Sequence, residues 1–597
     1  MRSEDHSNPL VFLFKEAWRY SVGNRGNMVG FYAMFTVATS LMLFLDPLIM
    51  AKMMNVVVEV IKKQELDSAS LRTICILAVL PFGVQFVFWC FHGPARVMEN
   101  INAFKARANY RKYLLNGVIN LPMKWHAEHH SGDTIDKIEK GSSALFQFSR
   151  DSFEVVYSII QFVGSFCVLA YFSPGSIPIL LFFIVLSGVI TIAFDKKLIP
   201  QYRELNHAEN QVSEGVFDAI SNISTVIILR VEKLVFKGIA KKIDYRFDVF
   251  KNNNALNELK WFATSMCTGA MTSAVFFLYF WSHRHNLAGI SAGNVFILYS
   301  YLEQISNTLF RFTNMYSDIV VRATRMQNAA ELSQEFQGAD FATHVLPANW
   351  NNLEVRGLTF SYHSEEGDLH LEDVSLSINR GERIALVGGS GHGKSTLLQV
   401  MRDLYQPRTL SLTVDGRVVD EGFGGIAHGI SLVPQCPEIF TTSIWENITL
   451  GAEHEEETVA RFADMACFTE VVERLPQGFQ SSIKEKGVNL SGGEQQRLAL
   501  TRGLLASADK DIVLLDEPTA SIDAANEMEI YKRIFTEFPD KTIISTIHRL
   551  HLLPEFDKIY MFERGRVVAE GTLGELLLTN EAFQELWARY TVEKQEV

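Results

Sequence analysis

Nine consecutive residues of this chain are of types that bind phosphate: Gly388-Gly389-Ser390-Gly391-His392-Gly393-Lys394-Ser395-Thr396, which fits GxxxxGK[ST]. The pattern carries meaning only between a strand and a helix. Arg383–Val387 gives an apolar run of strand length before it, and Leu397–Leu404 a helical pattern after it. Glycines there let backbone N–H groups turn inward around phosphate oxygens, and a helix N-terminus adds its dipole. Lys394 is placed to neutralise β- and γ-phosphates, and Ser395 to ligate Mg²⁺. The bland alternative, an ordinary Gly-rich strand-to-helix turn, is disfavoured by the flanking context.

A second apolar strand, Asp511–Leu515, ends in Asp516-Glu517. A carboxylate at the C-terminal end of a buried strand beside a phosphate loop is where a Mg²⁺-organising aspartate belongs. Glu517 would then face a water in line with the γ-phosphate, as general base. Surface acids at a strand end would look alike, and the string Leu490-Ser491-Gly492-Gly493-Glu494-Gln495-Gln496-Arg497 decides between the two. It resembles the signature of ABC ATPases. Other elements of that family fall in order: Tyr362 at the adenine-stacking position, Gln435 in Val433-Pro434-Gln435 as the Q-loop, Ser521-Ile522-Asp523 as the D-loop, and His548 as the switch histidine beyond a third strand, Thr542–Ser545. The resemblance implies ATP and Mg²⁺ as cofactors. Nucleotide would be held by Tyr362, Gly388, Ser390, Gly391, Gly393, Lys394, Ser395, Thr396, Ser491, Gly493 and Asp523. Metal would be held by Ser395, Gln435 and Asp516, and catalysis would fall to Glu517, His548 and Gln435.

Two further segments resemble the exporter branch. Glu438 to Ile448 is similar to the stretch after the exporter Q-loop, and Glu485-Lys486-Gly487 stands where exporters carry a Glu-x-Gly that touches the membrane domain. The departures are Ile522 where Leu is usual, the less common loop residues Gly389 and His392, and Lys484 in place of Gly.

Such an ATPase needs elements to move, and the first half of the chain supplies them. Apolar runs long enough to cross a bilayer, about 20 residues each, stand at 28–50, 73–92, 152–172, 177–194, 261–282 and 288–310. Residues 1–27 do not read as a cleavable signal peptide, because Glu4 and Asp5 sit where positive charge belongs. Lys and Arg number nine in 93–151 and eleven in 195–260, against five in the other three connections together. Positive residues are retained inside, so the long connections and the N-terminus are expected in the cytoplasm. Helix-forming stretches such as Asn100–Leu115 and Asn206–Ala219 make those connections arms, reaching roughly 40 Å below the membrane at 1.5 Å per residue.

The expected fold is multi-domain: an all-α six-span transmembrane domain over 1–340 with long cytoplasmic helical hairpins, then an α/β P-loop ABC ATPase domain over 341–597. The charge follows the same split. Residues 1–340 carry 32 Lys and Arg against 28 Asp and Glu, whereas 341–597 carry 23 against 40. Neither half is basic enough for a nucleic-acid binder, and 48% hydrophobic residues exclude a disordered chain. The six cysteines form no CxxC pair, so no zinc cluster or disulfide framework is indicated. By resemblance the docking tips of the two hairpins are Leu121 to His126 and Asn222 to Ile228. His126, His129 and His130 are spaced as metal ligands could be, but are read as packing or exposed residues of the first tip.

The whole chain resembles a half-transporter of the multidrug or lipid exporter type, which implies a second copy of itself as partner. In that family Ser491 and Gly493 of one subunit close on ATP held by Lys394 of the other. A homodimer is favoured over a heterodimer because each ATP-site element is intact. The expected function is ATP-driven export or flipping of an amphipathic substrate by alternating access. An importer on the same scaffold, or an ATP-gated channel or regulatory subunit, is the alternative. The expected location is a bacterial inner membrane. Ser300, Glu303, Gln304, Asn307, Arg311, Asn314 and Asp318 recur every three or four residues as a polar stripe, which either lines the translocation cavity or bonds neighbouring helices. Asp46, in the first span, should face water, a partner or the cavity.

Overall fold

The computed structural model describes residues 8–129, 131–285, 290–336, 346–362, 370–436, 438–483 and 490–593. The chain divides into two compact units, Met1–Leu121 with His129–Gln337, and Pro122–Glu128 with Gly338–Val597. The expected domain boundary at 340/341 lies outside the described residues.

Helices occupy the first part: α1 (Pro9–Tyr20), α2 (Arg25–Lys63), α3 (Ser68–Ile119), α4 (Met123–Glu128), α5 (Ser131–Phe172), α6 (Ile177–Ser221), α7 (Ile223–Ile228), α8 (Glu232–Asp244), α9 (Phe247–Ser282) and α10 (Ala292–Leu332). Several are far longer than a bilayer requires. The 52 residues of α3 span about 78 Å at 1.5 Å each, so spans and the arms beyond them are continuous helices. Pro47, Pro81, Pro94 and Pro200 lie within them, as membrane helices tolerate when neighbouring groups re-satisfy the freed carbonyls.

Among the described residues five segments are long and apolar enough to cross a membrane: Arg25–Lys63, Ser68–Ile119, Ser131–Phe172, Pro174–Ser221 and Glu232–Ser282. The sixth expected span lies in α10, which has the length but not the hydropathy. Its polar stripe is the cause, and the structure divides that stripe in two. Ser165 on α5 donates to Gln304 Oε1 at 2.8 Å, and Gln304 donates to the Leu43 carbonyl of α2 at 3.4 Å. Glu303, Asn307, Arg311 and Asp318 are instead exposed along the helix. Small residues let these helices close up: a Cβ on Gly164 would overlap the Phe44 ring, and one on Gly141 would overlap Ala329. Between α6 and α9, Lys260 Nζ meets Asp195 Oδ1 at 2.8 Å with both side chains buried. Asp46 is half-buried, and its Oδ1 has no hydrogen-bond partner. His126 and His129 are exposed, no metal-binding group is found among the described residues, and His130 lies outside them.

Among the described residues the second part is built on ten strands: β1 (Asn352–Phe360), β2 (Leu371–Asn379), β3 (Arg383–Val387), β4 (Thr409–Val414), β5 (Arg417–Val418), β6 (Ile430–Val433), β7 (Ile512–Asp516), β8 (Thr542–Thr546), β9 (Lys558–Glu563) and β10 (Arg566–Gly571). An antiparallel sheet runs β2-β1-β4-β5, and a six-stranded sheet runs β10-β9-β3-β8-β7-β6. The second is parallel except for β10. Every residue of β7 and β8 is buried, which is why Ile512–Leu515 reads as an unbroken apolar run rather than an alternating one. Helices α11 (Lys394–Met401), α12 (Ile444–Thr449), α13 (Glu456–Met465), α14 (Thr469–Arg474), α15 (Gly492–Ala506), α16 (Ala524–Glu537), α17 (Leu573–Thr579) and α18 (Glu581–Glu593) complete the fold. One core joins α13, α15 and α16 to the parallel sheet, and another fills the space between the two sheets. Helix α11 starts three residues before the expected Leu397, because the left-handed Gly393 (φ 95°) turns the chain directly into it.

Candidate active site

The parallel strands β3, β6, β7 and β8 end on one edge of their sheet, where open α/β sheets bind ligands. The loop after β3, Gln435 after β6, Asp516-Glu517 at the end of β7 and His548 after β8 meet there. A cavity of about 250 Å³ is lined by His370, Ser390, Gly391, His392, Gly393, Lys394, Ser395, Thr396, Gln435, Glu517 and His548. Glycine is required at two points of the loop. A Cβ on Gly388 would overlap the Phe562 carbonyl, and one on Gly393 would lie 2.8 Å from the His370 carbonyl.

Lys394 is buried and donates to the carbonyls of Gly388 at 2.8 Å and Gly389 at 2.9 Å. Burial lowers the pKa of its ammonium, while Glu517 and Asp516 oppose that shift. Asp516 Oδ1 accepts from Ser395 Oγ at 2.8 Å and from Thr546 Oγ1 at 3.0 Å. Burial raises the Asp516 carboxyl above its ordinary value, and these two hydrogen bonds oppose the rise. A hydroxyl and a desolvated carboxylate in contact form an all-oxygen donor set, which suits a small hard cation.

Glu517 is the most constrained residue of the site. Its φ of 45° is rare for a side chain of this kind. Its N–H donates to Thr546 Oγ1 at 2.8 Å. His548 Nε2 lies 2.6 Å from Oε1, and Gln435 Nε2 donates to Oε2 at 2.7 Å. From α15, Gln496 donates to the Glu517 carbonyl at 3.1 Å and accepts from Ser521 N–H at 2.7 Å. Tyr362 leaves part of its ring exposed, edge-on to Tyr405, with its hydroxyl donating to Gln399 at 2.8 Å.

The sequence-predicted residues thus fall into three groups. Nine line or close the phosphate cavity: Ser390, Gly391, Gly393, Lys394, Ser395, Thr396, Gln435, Glu517 and His548. Gly388, Asp516 and Tyr362 flank it through the bonds just described. Ser491, Gly493 and Asp523 are not among the lining residues. Ser491 and Asp523 instead cap α15 and α16, accepting from the backbone N–H groups of Glu494 and Asn526. Sequence reasoning missed Gln496, Thr546, His370 and His392. Gln496 and His392 stood inside the motifs given above, but their roles, like that of Thr546, depend on pairing between segments distant in sequence. The expected contact segment Lys484 to Gly487 lies outside the described residues.

A second cavity, of about 150 Å³, lies between α5 and α10, with Asp151, Glu154, Arg311, Asp318 and Arg322 in its lining. Arg322 pairs with Asp151 at 2.9 Å, and the Arg311 guanidinium lies 4.4 Å over the Tyr157 ring.

A nucleotide-type phosphate loop on a parallel sheet, joined in one chain to a bundle of bilayer-length helices, defines an ATPase fused to a membrane-spanning region. Residues 371–520 match the ABC transporter family, and residues 29–309 match the ABC transporter transmembrane region. The chain belongs to the ABC transporter family, as an exporter-type half-transporter that carries both parts. It is similar to the mitochondrial iron-sulfur clusters transporter ATM1 of Saccharomyces cerevisiae, with 26% identity across 96% of this chain and 84% of that protein. An ATP-dependent lipid A-core flippase of Pseudoalteromonas translucida is 27% identical over 80% of this chain and 82% of its own length. A bacterial Atm1-family ABC exporter solved with ATP bound has the same fold, with a TM-score of 0.83, 21% identity, and coverage of 95% of this chain and 98% of that one. The protein is an integral membrane protein that binds and hydrolyses ATP to drive export.

Proposed function

We propose that two copies of this chain form a homodimeric exporter or flippase for an amphipathic substrate carrying charges of both signs. Domains 1–340 and 341–597 would act as translocation pathway and motor. The observation that carries the motor assignment is Glu517, held by Gln435 and His548 at the edge of a cavity that also contains Lys394. In this reading the glycine loop with Ser390 and Thr396 cradles the phosphates, Lys394 leaves its two loop carbonyls to neutralise them, and Tyr362 stacks on adenine. Ser395, Asp516 and the amide oxygen of Gln435 would hold Mg²⁺, which when bound supplies charge neutralisation of the phosphate oxygens. Glu517 takes the proton of the attacking water, and His548 orients the carboxylate through Oε1.

Ser491, Gly493 and Asp523 lie outside the cavity of their own chain, which supports a role at the partner's ATP. Closing of the two ATPase domains would move the cytoplasmic arms and hence the spans, a two-state element biased by ligand. The exposed row Glu303, Asn307, Arg311 and Asp318 on a helix of bilayer length supports the substrate assignment. Such groups are costly against lipid, and they fit a water-filled path between subunits. A bacterial inner membrane, with N-terminus and ATPase domain inside, fits the basic inner connections and the bacterial flippase relatives.

The test is ATPase stimulation of the protein reconstituted in lipid, screened across lipids, peptides, glycans and drugs. It is combined with uptake into inside-out vesicles given ATP outside. Stimulation by an amphipath, diminished in Glu303→Gln and Arg311→Ala, supports the assignment. Unaltered stimulation and uptake in both variants would remove the stripe from the substrate path.

A further inference from the structure

His392 and Gly389, the two unusual residues of the phosphate loop, form one device. His392 Nδ1 lies 3.1 Å from the carbonyl oxygen of Phe562 in β9. A carbonyl can only accept, so Nδ1 carries the proton and the fold sets the tautomer. The imidazole then lies across Gly389, where a Cβ would stand 2.9 Å from Cε1 and 3.0 Å from Nε2. Glycine at 389 is therefore the condition for a ring at 392. The backbone is tied to the same hairpin, because Gly565 N–H donates to the His392 carbonyl at 3.2 Å. That hairpin turn is itself bound to β2, with Glu372 N–H donating to the Gly565 carbonyl at 2.9 Å. His392 also lines the phosphate cavity beside Lys394.

We propose that His392 is a positioning residue for nucleotide binding. Its Nδ1–H bond to Phe562 fixes the loop in its phosphate-ready curl, and Gly389 is the space reserved for the ring. This rests on the reading that the cavity holds the phosphates of ATP. A loop without the bond has to be ordered when nucleotide arrives, which weakens binding. Glu517 and Asp516 belong to a different segment, at the end of β7, and keep their places, so turnover at saturation is spared.

The experiment measures ATP binding, KM and kcat on the full chain reconstituted in lipid, for His392→Ala, His392→Asn, Gly389→Ala, the double Gly389→Ala/His392→Ala, and Lys394→Ala. Loss of one such bond corresponds to a rise in KM of about three- to tenfold for His392→Ala, with kcat changed less than about twofold. Asparagine can place an N–H near the position of Nδ1, so His392→Asn recovers most of the affinity. Gly389→Ala displaces the ring and raises KM similarly, yet adds nothing once His392 is alanine. The proposal is overturned by an Asn variant no better than Ala, by Gly389→Ala and His392→Ala effects that simply multiply, or by kcat falling as far as KM rises. Lys394→Ala separates the two levels. If it leaves ATP binding intact, the cavity is not the phosphate site. If it abolishes binding while the His392 variants bind as the parent does, the positioning role alone is lost.

Discussion

Replacing Gln496 with Leu should slow ATP hydrolysis without weakening ATP binding. Gln496 is buried and makes two part-buried bonds: Nε2 to the Glu517 carbonyl at 3.1 Å, which also accepts from Ala520 N–H at 3.3 Å, and Oε1 from Ser521 N–H at 2.7 Å. Leucine keeps most of the volume and removes both partners. The Glu517 carbonyl keeps its bond from Ala520 and Ser521 is exposed, so each lost bond counts at the ordinary net value of about 0.5–1.5 kcal/mol and the pair at about 1–3 kcal/mol. The structure can relieve this by shifting the segment that carries Glu517, already strained at a φ of 45°. If about half of the cost falls on the transition state, kcat drops by about two- to 13-fold, at 1.36 kcal/mol per tenfold. Gln496 does not line the phosphate cavity, so ATP affinity should stay within about twofold. Steady-state ATPase assays with direct nucleotide-binding titrations read both quantities. A folded Gln496→Leu protein with kcat within twofold of the parent would refute this chain of reasoning, as would a loss confined to ATP affinity.

Two further outcomes follow from buried charges. Lys260→Ala leaves Asp195 buried without its 2.8 Å partner and should destabilise the membrane domain by about 3–5 kcal/mol, whereas Lys260→Met with Asp195→Asn should recover most of that. Thermal unfolding in detergent measures it, and equal destabilisation by the single and double variants would contradict it. At Asp516, burial favours the protonated acid in the folded, nucleotide-free protein. Its stabilising contribution is full below the ordinary carboxylate pKa of about 4 and is lost as pH rises through the raised folded value. Asp516→Asn should therefore raise the melting temperature of nucleotide-free protein at neutral pH, with the advantage shrinking as pH falls toward about 4. An advantage that grows on acidification would show that the sign is wrong.

The candidate site was legible in the sequence because its residues sit in short contiguous motifs at strand ends. Lys394, Ser395, Asp516 and Glu517 each follow a buried apolar run that fixes where they emerge. What was not legible depends on contacts between segments distant along the chain. Thr546 carries no signal of its own, yet it bonds both Asp516 and Glu517 across adjacent parallel strands. His392 looked merely unusual until Phe562, 170 residues away, supplied its partner. In the membrane half six apolar runs are read, and among the described residues the sixth, in α10, has the length of a span but less hydropathy than the other five because of the polar groups it carries. Periodicity located the stripe on α10 but could not assign its residues to roles. Gln304 bonds α5 and α2, whereas Glu303, one residue earlier, is exposed. The arms beyond the spans were foreseeable as helices from their polar, Gly-poor sequence. Their continuity with the spans is a property of whole helices such as the 52-residue α3.

The most direct test of the central claim, that Glu517 is the base of an ATP-driven motor, is single-turnover hydrolysis by Glu517→Gln in lipid. Glutamine keeps the shape and one acceptor oxygen, enough for one of the two contacts to Gln435 and His548 as they stand, but cannot take up a proton. The account predicts ATP binding equal to the parent, hydrolysis slowed by about 10²–10⁴-fold, and a dimer that stays closed on unhydrolysed ATP. Turnover at the parent's rate would contradict it.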